Sequence, residues 1–139
     1  MALRFGDVKE GEALPELRKR PGLTDLVKYA AGGGDFNPLH HDRDFPQARQ
    51  IGSIIVHGRY KYAALGECVS SWLAHGGRIR TIACQYRGMD FPDKEMRVGG
   101  RVARKWEEGG EKLCELELYV RNEEGKNTTP GSAVVAFSG

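Results

Sequence analysis

The strongest constraint on the fold is a segment whose apolar residues recur with helical spacing and whose opposite side is only weakly polar. From Gly58 to His75 the apolar positions follow one another at steps of three and four, which predicts an α-helix. They are Tyr60, Ala64, Leu65, Cys68, Val69, Trp72 and Leu73, and the opposite side carries Lys61, Glu67 and Ser71 beside small residues. Such a helix is expected to be surrounded by protein on most sides, and Gly76-Gly77 is expected to end it.

After this helix the hydrophobic period changes to two, which predicts β-strands. The predicted strands are residues 81–87, 98–106, 114–121 and 132–137, with turns at residues 108–110 and 124–125. An earlier segment, residues 8–17, is a candidate first strand, and Pro15 favours a position at the edge of the sheet. About five strands in a meander and one long buried helix predict an α+β fold in which an antiparallel sheet curls around the helix.

A shorter helix is expected before the long one, at residues 26–31. Thr24 is the expected N-cap of this helix, and the Asp25 carboxylate would complement the helix dipole. Residues 32–34 are three consecutive glycines, which are expected to stop the helix and to begin an irregular loop.

Length and composition restrict the class of protein. The 139 residues suit one domain that spans residues 1–139,. A net charge of +2 argues against a nucleic-acid-binding protein, which gains affinity by neutralising phosphates. No apolar run approaches the roughly 20 residues that a membrane helix needs, and the N-terminal residues lack the apolar core of a signal peptide. These features predict a cytoplasmic protein that does not insert into membranes.

The cysteines indicate the redox state of the compartment, and the last strand indicates a neighbouring subunit. Cys68, Cys84 and Cys114 are widely spaced, without the paired spacing of a zinc or redox site. They are expected to be buried small residues in a reducing compartment. Residues 133–137 are apolar on both faces of the last strand, which predicts that a second subunit covers one side of the sheet.

The loop after the three glycines carries the residues that indicate chemistry. Asp35 and His40 are five residues apart in this loop, and Pro38 restricts the backbone between them. On a turned loop this spacing directs a carboxylate and an imidazole at one small volume, as a reaction that removes and delivers a proton requires. Asn37 is expected to hydrogen-bond the local backbone and hold the turn.

The same side chains are also compatible with structural roles or with a metal site. Taken singly, Asp35 is typical of a solvated turn, and His40 is typical of a structural histidine. A metal site could be assembled from Asp35, His40, His41 and His57. Adjacent histidines point apart, however, and the chain lacks a His-x-x-x-His pattern, so an acid–base pair is favoured over a metal site.

A second pair of residues, His57-Gly58, directly precedes the long helix. The first N–H groups of a helix have no intrahelical partner and favour negative charge. The Gly58 N–H is therefore a candidate donor to the oxyanion that develops on a thioester carbonyl, and glycine allows a substrate to approach closely. A purely structural role for Gly58, in starting a buried helix, is compatible with the same sequence.

Together these motifs resemble those of a known enzyme family. Tyr29-Ala30, the string Gly34-Asp35-Phe36-Asn37-Pro38-Leu39-His40 and the pair His57-Gly58 are similar to MaoC-like (R)-specific enoyl-CoA hydratases and (3R)-hydroxyacyl dehydratases. The likeness extends through the long helix and covers most of the chain. It implies the hot-dog fold, an acyl-CoA or acyl-carrier-protein thioester as substrate, no cofactor and no metal. It also implies a homodimer or a heterodimer of hot-dog subunits.

The resemblance implies roles for Asp35, His40, Gly58 and Asn37 in the reversible addition of water across the 2,3 double bond of an acyl thioester. Asp35 and His40 are the implied catalytic pair, which together hold one water. Gly58 is the implied oxyanion donor. Asn37, His57 and Arg59 are assigned to the binding and positioning of the substrate, with Asn37 supporting the loop.

Two positions depart from the family pattern. Gly33 stands where serine or threonine is common, and Arg59 stands where methionine or another apolar residue is common. Arg59 could contact the phosphates of coenzyme A or of a carrier protein, or it could lie at a subunit interface. The alternative functions are a hot-dog acyl thioesterase and a subunit of a heterodimeric dehydratase that is inactive without its partner. His40 beside Asp35 favours hydration over hydrolysis.

Overall fold

In the computed structural model, which describes residues 1–139, three α-helices accompany a five-stranded sheet. The helices are α1 (Leu23–Gly33), α2 (Pro46–Ile51) and α3 (Gly58–Leu73). The strands are β1 (Leu17–Lys19), β2 (Gly77–Cys84), β3 (Met96–Glu108), β4 (Glu111–Arg121) and β5 (Gly131–Phe137). None of the helices combines the length and the apolar character that crossing a membrane requires.

The sheet is antiparallel throughout, with the strand order β1-β3-β4-β5-β2. β3 and β4 form a long hairpin that turns at Gly109 and Gly110, whose φ angles of 57° and 78° favour glycine,. β2 pairs with β5 and not with β3, which follows it in the chain. The predicted meander is wrong at this point. Residues 85–95 pass the N-terminal end of α3 and carry the chain from β2, at one edge of the sheet, to β3, near the opposite edge.

The apolar stripe of α3 packs against the inner face of the curled sheet, as predicted. Leu65 and Val69 are completely buried and belong to one core cluster with residues such as Val98 and Leu116 of the sheet. The far side of the helix is less enclosed than expected, since Tyr62 is 37% exposed. α3 ends two residues earlier than predicted because residue 74 already adopts a left-handed conformation, with a φ of 46°.

One side chain of α3 contradicts the helical pattern. Lys61 is predicted on the weakly polar side, but its side chain is only 3% exposed. The ammonium group is buried because Asp90, from the connection between β2 and β3, forms an ion pair with it at 3.0 Å.

The N-terminal segment contains less strand than predicted. Residues 8–17 form no continuous strand; only Leu17–Lys19 pairs along β3, and Ala13 makes an isolated bridge to β3. A turn at Gly11, with a φ of 84°, and Pro15 interrupt the extended backbone. The position of β1 at the edge of the sheet is nevertheless as predicted.

α1 is longer than the predicted residues 26–31 and starts differently. Gly22 is the N-cap, and its N–H donates to Asp25 Oδ2 at 2.9 Å. Thr24 is therefore not the cap but lies in the first turn. The helix continues through two of the three glycines and ends at Gly34, which has a φ of 72°. α2 has no counterpart among the predicted elements.

The second apolar face of β5 is buried largely within the chain itself. Ala136, which points away from the core, is 7% exposed. In the sheet it pairs with Leu113 on one side and Arg78 on the other, and Arg78 forms an ion pair with Glu111 at 3.2 Å. Val134, the other apolar residue of this face, is only half-buried, so an apolar contact remains available to the second subunit that the sequence predicts there.

Candidate active site

The loop between α1 and α2 is held by short-range hydrogen bonds. The Asn37 N–H donates to Asp35 Oδ1 at 3.3 Å, and the Leu39 N–H donates to Asn37 Oδ1 at 3.0 Å. Asn37 thereby caps the short 3-10 helix Pro38–His40,. Its side chain supports the loop, and the remaining oxygen of Asp35 is free to face His40.

Asp35 and His40 converge. His40 is 7% exposed, and its Nδ1 lies 2.8 Å from the Ile55 carbonyl oxygen. Because a carbonyl only accepts, Nδ1 carries the proton, and Nε2 of the neutral ring keeps a free lone pair. His40 Nε2 lies 3.6 Å from Asp35 Oδ2. This separation of the two free atoms is too long for a direct hydrogen bond.

His57 contacts both members of this pair. Its ring is completely buried and stacks on the His40 ring, with centroids 3.8 Å apart and planes inclined by 19°. His57 Nε2 donates to the Asp35 carbonyl oxygen at 3.2 Å, while Nδ1 has no partner. Burial, and secondarily the proximity of His40, lowers the pKa of His57,. A neutral His57 thus connects the backbone of Asp35 to the imidazole of His40.

Gly58 follows His57 and begins α3. The first α3 amide with a helical acceptor is that of Lys61, which lies 3.4 Å from the His57 carbonyl oxygen, so the Gly58 N–H has no acceptor within the helix. The ring of Tyr86 lies directly against Gly58: a Cβ at this position would be 3.0 Å from two ring carbons. Burial raises the pKa of the Tyr86 hydroxyl. The Gly58 N–H therefore has no acceptor within the helix, and one aromatic ring, that of Tyr86, closely covers Gly58.

An apolar cavity of about 540 Å³ lies beside the exposed side of α3. The helix contributes the small residues Ala63 and Gly66, and β2 contributes Ile82. Arg59 and Tyr86 also line this cavity. Arg59 thus lies next to the site with its side chain exposed.

A second cavity, of about 550 Å³, lies on the other side of Tyr86. Gly58 and Lys61 line it from α3, and Arg87 and Lys126 add two further positive charges. Tyr86 borders both cavities. One ring therefore separates an apolar space from a basic one at the start of α3.

Asp35 and His40 line neither of these two cavities. The Asp35 side chain is 37% exposed, and Phe36, the next residue, is 63% exposed. The acid–base pair is thus open on its Asp35 side in the single chain.

The same cluster contains groups that could bind a metal ion. Asp35, His40 and His57 each have one potential ligand atom within 4.8 Å of the others. The two imidazoles are stacked, so their in-plane lone pairs lie in nearly parallel planes and do not converge on one ion. One nitrogen of each ring donates to a backbone carbonyl. The arrangement fits proton transfer better than metal coordination.

Sequence reasoning missed three residues near the site. Tyr86 is predicted as part of a strand but lies beyond the end of β2, where it covers Gly58. The buried pair of Lys61 and Asp90 is 29 positions apart, and no local pattern connects the two residues. The period-two alternation that includes Tyr86 indicates only a strand, and it contains no sign of the contact between Tyr86 and Gly58.

Comparisons with known proteins agree with the fold and the family resemblance. The family model described as a MaoC like domain matches residues 13–124. An (R)-hydratase from A. caviae involved in PHA biosynthesis has a TM-score of 0.85 and 24% identity, over 94% of this chain and 97% of that chain. The ChsH1-ChsH2 complex from Mycobacterium tuberculosis has a TM-score of 0.79 and 24% identity, over 93% of this chain and 98% of that chain.

A curated relative matches a shorter part of the chain. The fatty acid synthase beta subunit TOXC of Cochliobolus carbonum is 36% identical over 72 residues, which are 50% of this chain and 4% of that protein. The structural matches confirm the hot-dog fold, an antiparallel sheet curled around a central helix. Because the family model covers most of the sequence, the chain belongs to the MaoC-like dehydratase family.

Proposed function

We propose that this protein catalyses the reversible hydration of 2-enoyl thioesters to (3R)-hydroxyacyl thioesters. The observation that carries the proposal is the 3.6 Å approach of Asp35 Oδ2 and His40 Nε2. One water oxygen at about 2.8 Å from each atom could bridge them. The free amide of Gly58 supplies an oxyanion donor next to the ring that stacks on His40. An acid–base pair and such a donor are the groups that this reaction requires.

The tautomer of His40 suggests the order of proton transfers. Nδ1 donates to the Ile55 carbonyl, so Nε2 takes a proton from the bridging water as the water oxygen bonds to C3 of the substrate. The π electrons of the C2–C3 bond move to the thioester carbonyl, and the Gly58 N–H donates to the enolate oxygen that results.

The second half of the reaction returns the proton. The enolate electrons form a bond from C2 to the proton on His40 Nε2, which leaves the ring neutral again. The Asp35 carboxylate orients the water and stabilises the transient imidazolium. Because one nitrogen takes and delivers the proton, hydroxyl and hydrogen add to the same face. Dehydration follows the same steps in reverse.

The two cavities suggest how a substrate is oriented. The apolar cavity beside Ala63 and Gly66 suits an acyl chain,. The exposed cations Arg59, Arg87 and Lys126 suit the phosphates of coenzyme A or of a phosphopantetheine arm. Conjugation with the thioester carbonyl already makes C3 electrophilic, so the proposed chemistry uses no metal or redox cofactor.

Incubation of the purified protein with crotonyl-CoA tests the proposal. Loss of the enoyl absorbance without release of free thiol is the expected result, and chromatography of the product should identify the (3R)-hydroxy thioester. Release of thiol would instead indicate a thioesterase, in which the Asp35 carboxylate activates water at C1. Absence of both reactions would contradict enzymatic action on this substrate class by the chain alone.

A subunit of a heterodimeric dehydratase is a second candidate, favoured by the exposure of the Asp35 side of the site. The structural match to a complex of two named proteins is compatible with it. A mass measurement of the purified chain, followed by the crotonyl-CoA assay, separates the candidates. An active homodimer supports the first, and a chain that is inactive until a second hot-dog subunit is added supports the second.

A further inference from the structure

A buried ion pair lies one helical turn inside the N-terminus of α3. Lys61 Nζ donates to Asp90 Oδ2 and to the Gly88 carbonyl oxygen, both at 3.0 Å. The side chains of the two charged residues are 3% and 2% exposed. The Thr128 hydroxyl also donates to Asp90 Oδ2. The carboxylate thus has two donors, and the ammonium group has two acceptors.

The same residues join segments that are distant in the sequence. The Val56 N–H donates to the Asp90 carbonyl oxygen at 2.8 Å, and the Gly88 N–H donates to that of Thr128 at 3.1 Å. The first turn of α3, the residues before it, the connection 85–95 and the segment before β5 therefore form one hydrogen-bonded unit.

This unit determines the surroundings of the Gly58 amide. Tyr86, which covers Gly58, belongs to the connection that Lys61 and Asp90 hold. Lys61 is three residues after Gly58 and lines the same cavity. The ion pair thus holds both the start of α3 and the ring that limits access to it.

We infer that Lys61 and Asp90 are positioning residues, which hold the Gly58 amide and Tyr86 in the arrangement that binds the oxyanion. The inference rests on the hydratase function proposed above. A buried ion pair contributes little net stability, because desolvation offsets its attraction and an apolar pair of similar size often replaces it. Its location one turn from Gly58 supplies another reason for its presence, since charges held in a buried hydrogen-bonded network specify a single arrangement.

The double variant Lys61→Met/Asp90→Leu tests this role in the full chain, because it replaces the pair without leaving a buried unpaired charge. Oxyanion binding is stronger in the transition state than in the ground state, so a displaced amide lowers kcat more than it raises KM. With crotonyl-CoA we expect kcat to fall at least about tenfold and KM to change less than about threefold. Circular dichroism at the assay temperature verifies that the variant is folded.

The control removes an exposed ion pair between β1 and the same helix. Lys19 and Glu67 approach within 2.5 Å at the other side of α3, and Lys19→Met/Glu67→Leu should retain the kcat of the wild type. If the first double variant does not fold, Lys61→Gln/Asp90→Asn keeps most of the hydrogen bonds, and a kcat at least about threefold lower is expected.

Three outcomes overturn the inference. These are a folded Lys61→Met/Asp90→Leu protein with a kcat within about twofold of the wild type, a loss that appears in KM alone, and an equal loss in the control. The wild type is assayed in parallel, so that an inactive wild type contradicts the proposed function itself, and with it this inference.

Discussion

The imidazole of His40 lies flat against that of His57, with ring centroids 3.8 Å apart. One ring belongs to the loop that carries Asp35, and the other belongs to the residue before Gly58. The stack and the hydrogen bond from His57 Nε2 to the Asp35 carbonyl oxygen therefore both join the Asp35–His40 pair to the helix start. A neutral His57 suits this stack, because a positive charge beside the His40 imidazole would be costly in this buried position.

The acid–base pair predicts the effect of removing either member. Asp35→Asn and His40→Ala should each lower the hydration rate of crotonyl-CoA by about two orders of magnitude or more, because each loses one of the two groups that bind the water. Both variants should retain the circular dichroism spectrum of the wild type. His41→Ala, a change in the exposed neighbouring histidine, should keep near-normal activity. Near-normal hydration in either of the first two variants would remove the proposed mechanism.

The lowered pKa of His57 predicts how stability depends on pH. Between that lowered value and about 6.5, the unfolded chain binds a proton on His57 and the folded chain does not. The free energy of unfolding should therefore rise with pH through this window, by at most about 1.4 kcal/mol per pH unit from this residue, and level off above it. Urea titrations from pH 5 to pH 8 measure the slope.

A variant isolates the contribution of His57 to that slope. His57→Phe keeps a ring to stack on His40 but cannot titrate, so its unfolding free energy should depend less on pH than that of the wild type. His41→Asn, at an exposed site, should leave the slope unchanged. Identical slopes for His57→Phe and the wild type would show that His57 titrates normally.

The exposed position of Arg59 beside the apolar cavity predicts a change in substrate affinity. If its guanidinium contacts a phosphate of the substrate, Arg59→Ala should raise KM about threefold to tenfold while kcat changes little. Arg104→Ala, on the outer face of the sheet against Trp106, is the control and should leave KM unaltered. An unchanged KM for Arg59→Ala, with an altered sedimentation coefficient, would instead place Arg59 at a subunit interface.

The three free thiols should differ in reactivity. Burial raises the pKa of Cys68 and of Cys114 to about 11, whereas Cys84 is half-buried at the end of β2. At pH 8 Ellman's reagent should titrate one thiol in the native protein and three in denaturant. Cys84→Ser should abolish the native reaction. Rapid reaction of all three native thiols would contradict the burial of the other two.

Elements with a clear hydrophobic period could be predicted from the sequence. α3 and the strands β3 and β4 follow from spacing alone, because burial of one face of each element dictates the pattern. Asp35 and His40 could be found because one short loop contains both. The continuous strand predicted at residues 8–17 is wrong. Before Leu17, the backbone contacts of this segment with β3 are a single bridge and scattered hydrogen bonds, which impose no alternation on the sequence.

The remaining features depend on the path of the chain in space. The partner of β2 could not be predicted, because β3 and β5 are both strands long enough to pair with it. Lys61 was expected on a polar face, and only the crossing of residues 85–95 over the end of α3 brings Asp90 to it. The contact of Tyr86 with Gly58 follows from the same crossing.

The hydrogen bond from His40 Nδ1 to the Ile55 carbonyl has a stereochemical consequence. It leaves Nε2 as the one nitrogen of this ring that can exchange protons with the substrate. Hydration of crotonyl-CoA in heavy water should therefore place deuterium at C2 on the side that carries the new hydroxyl, as a single diastereomer. Proton NMR coupling constants of the isolated product would give the configuration at C2 relative to C3, and hence the face on which the His40 ring delivers the deuterium.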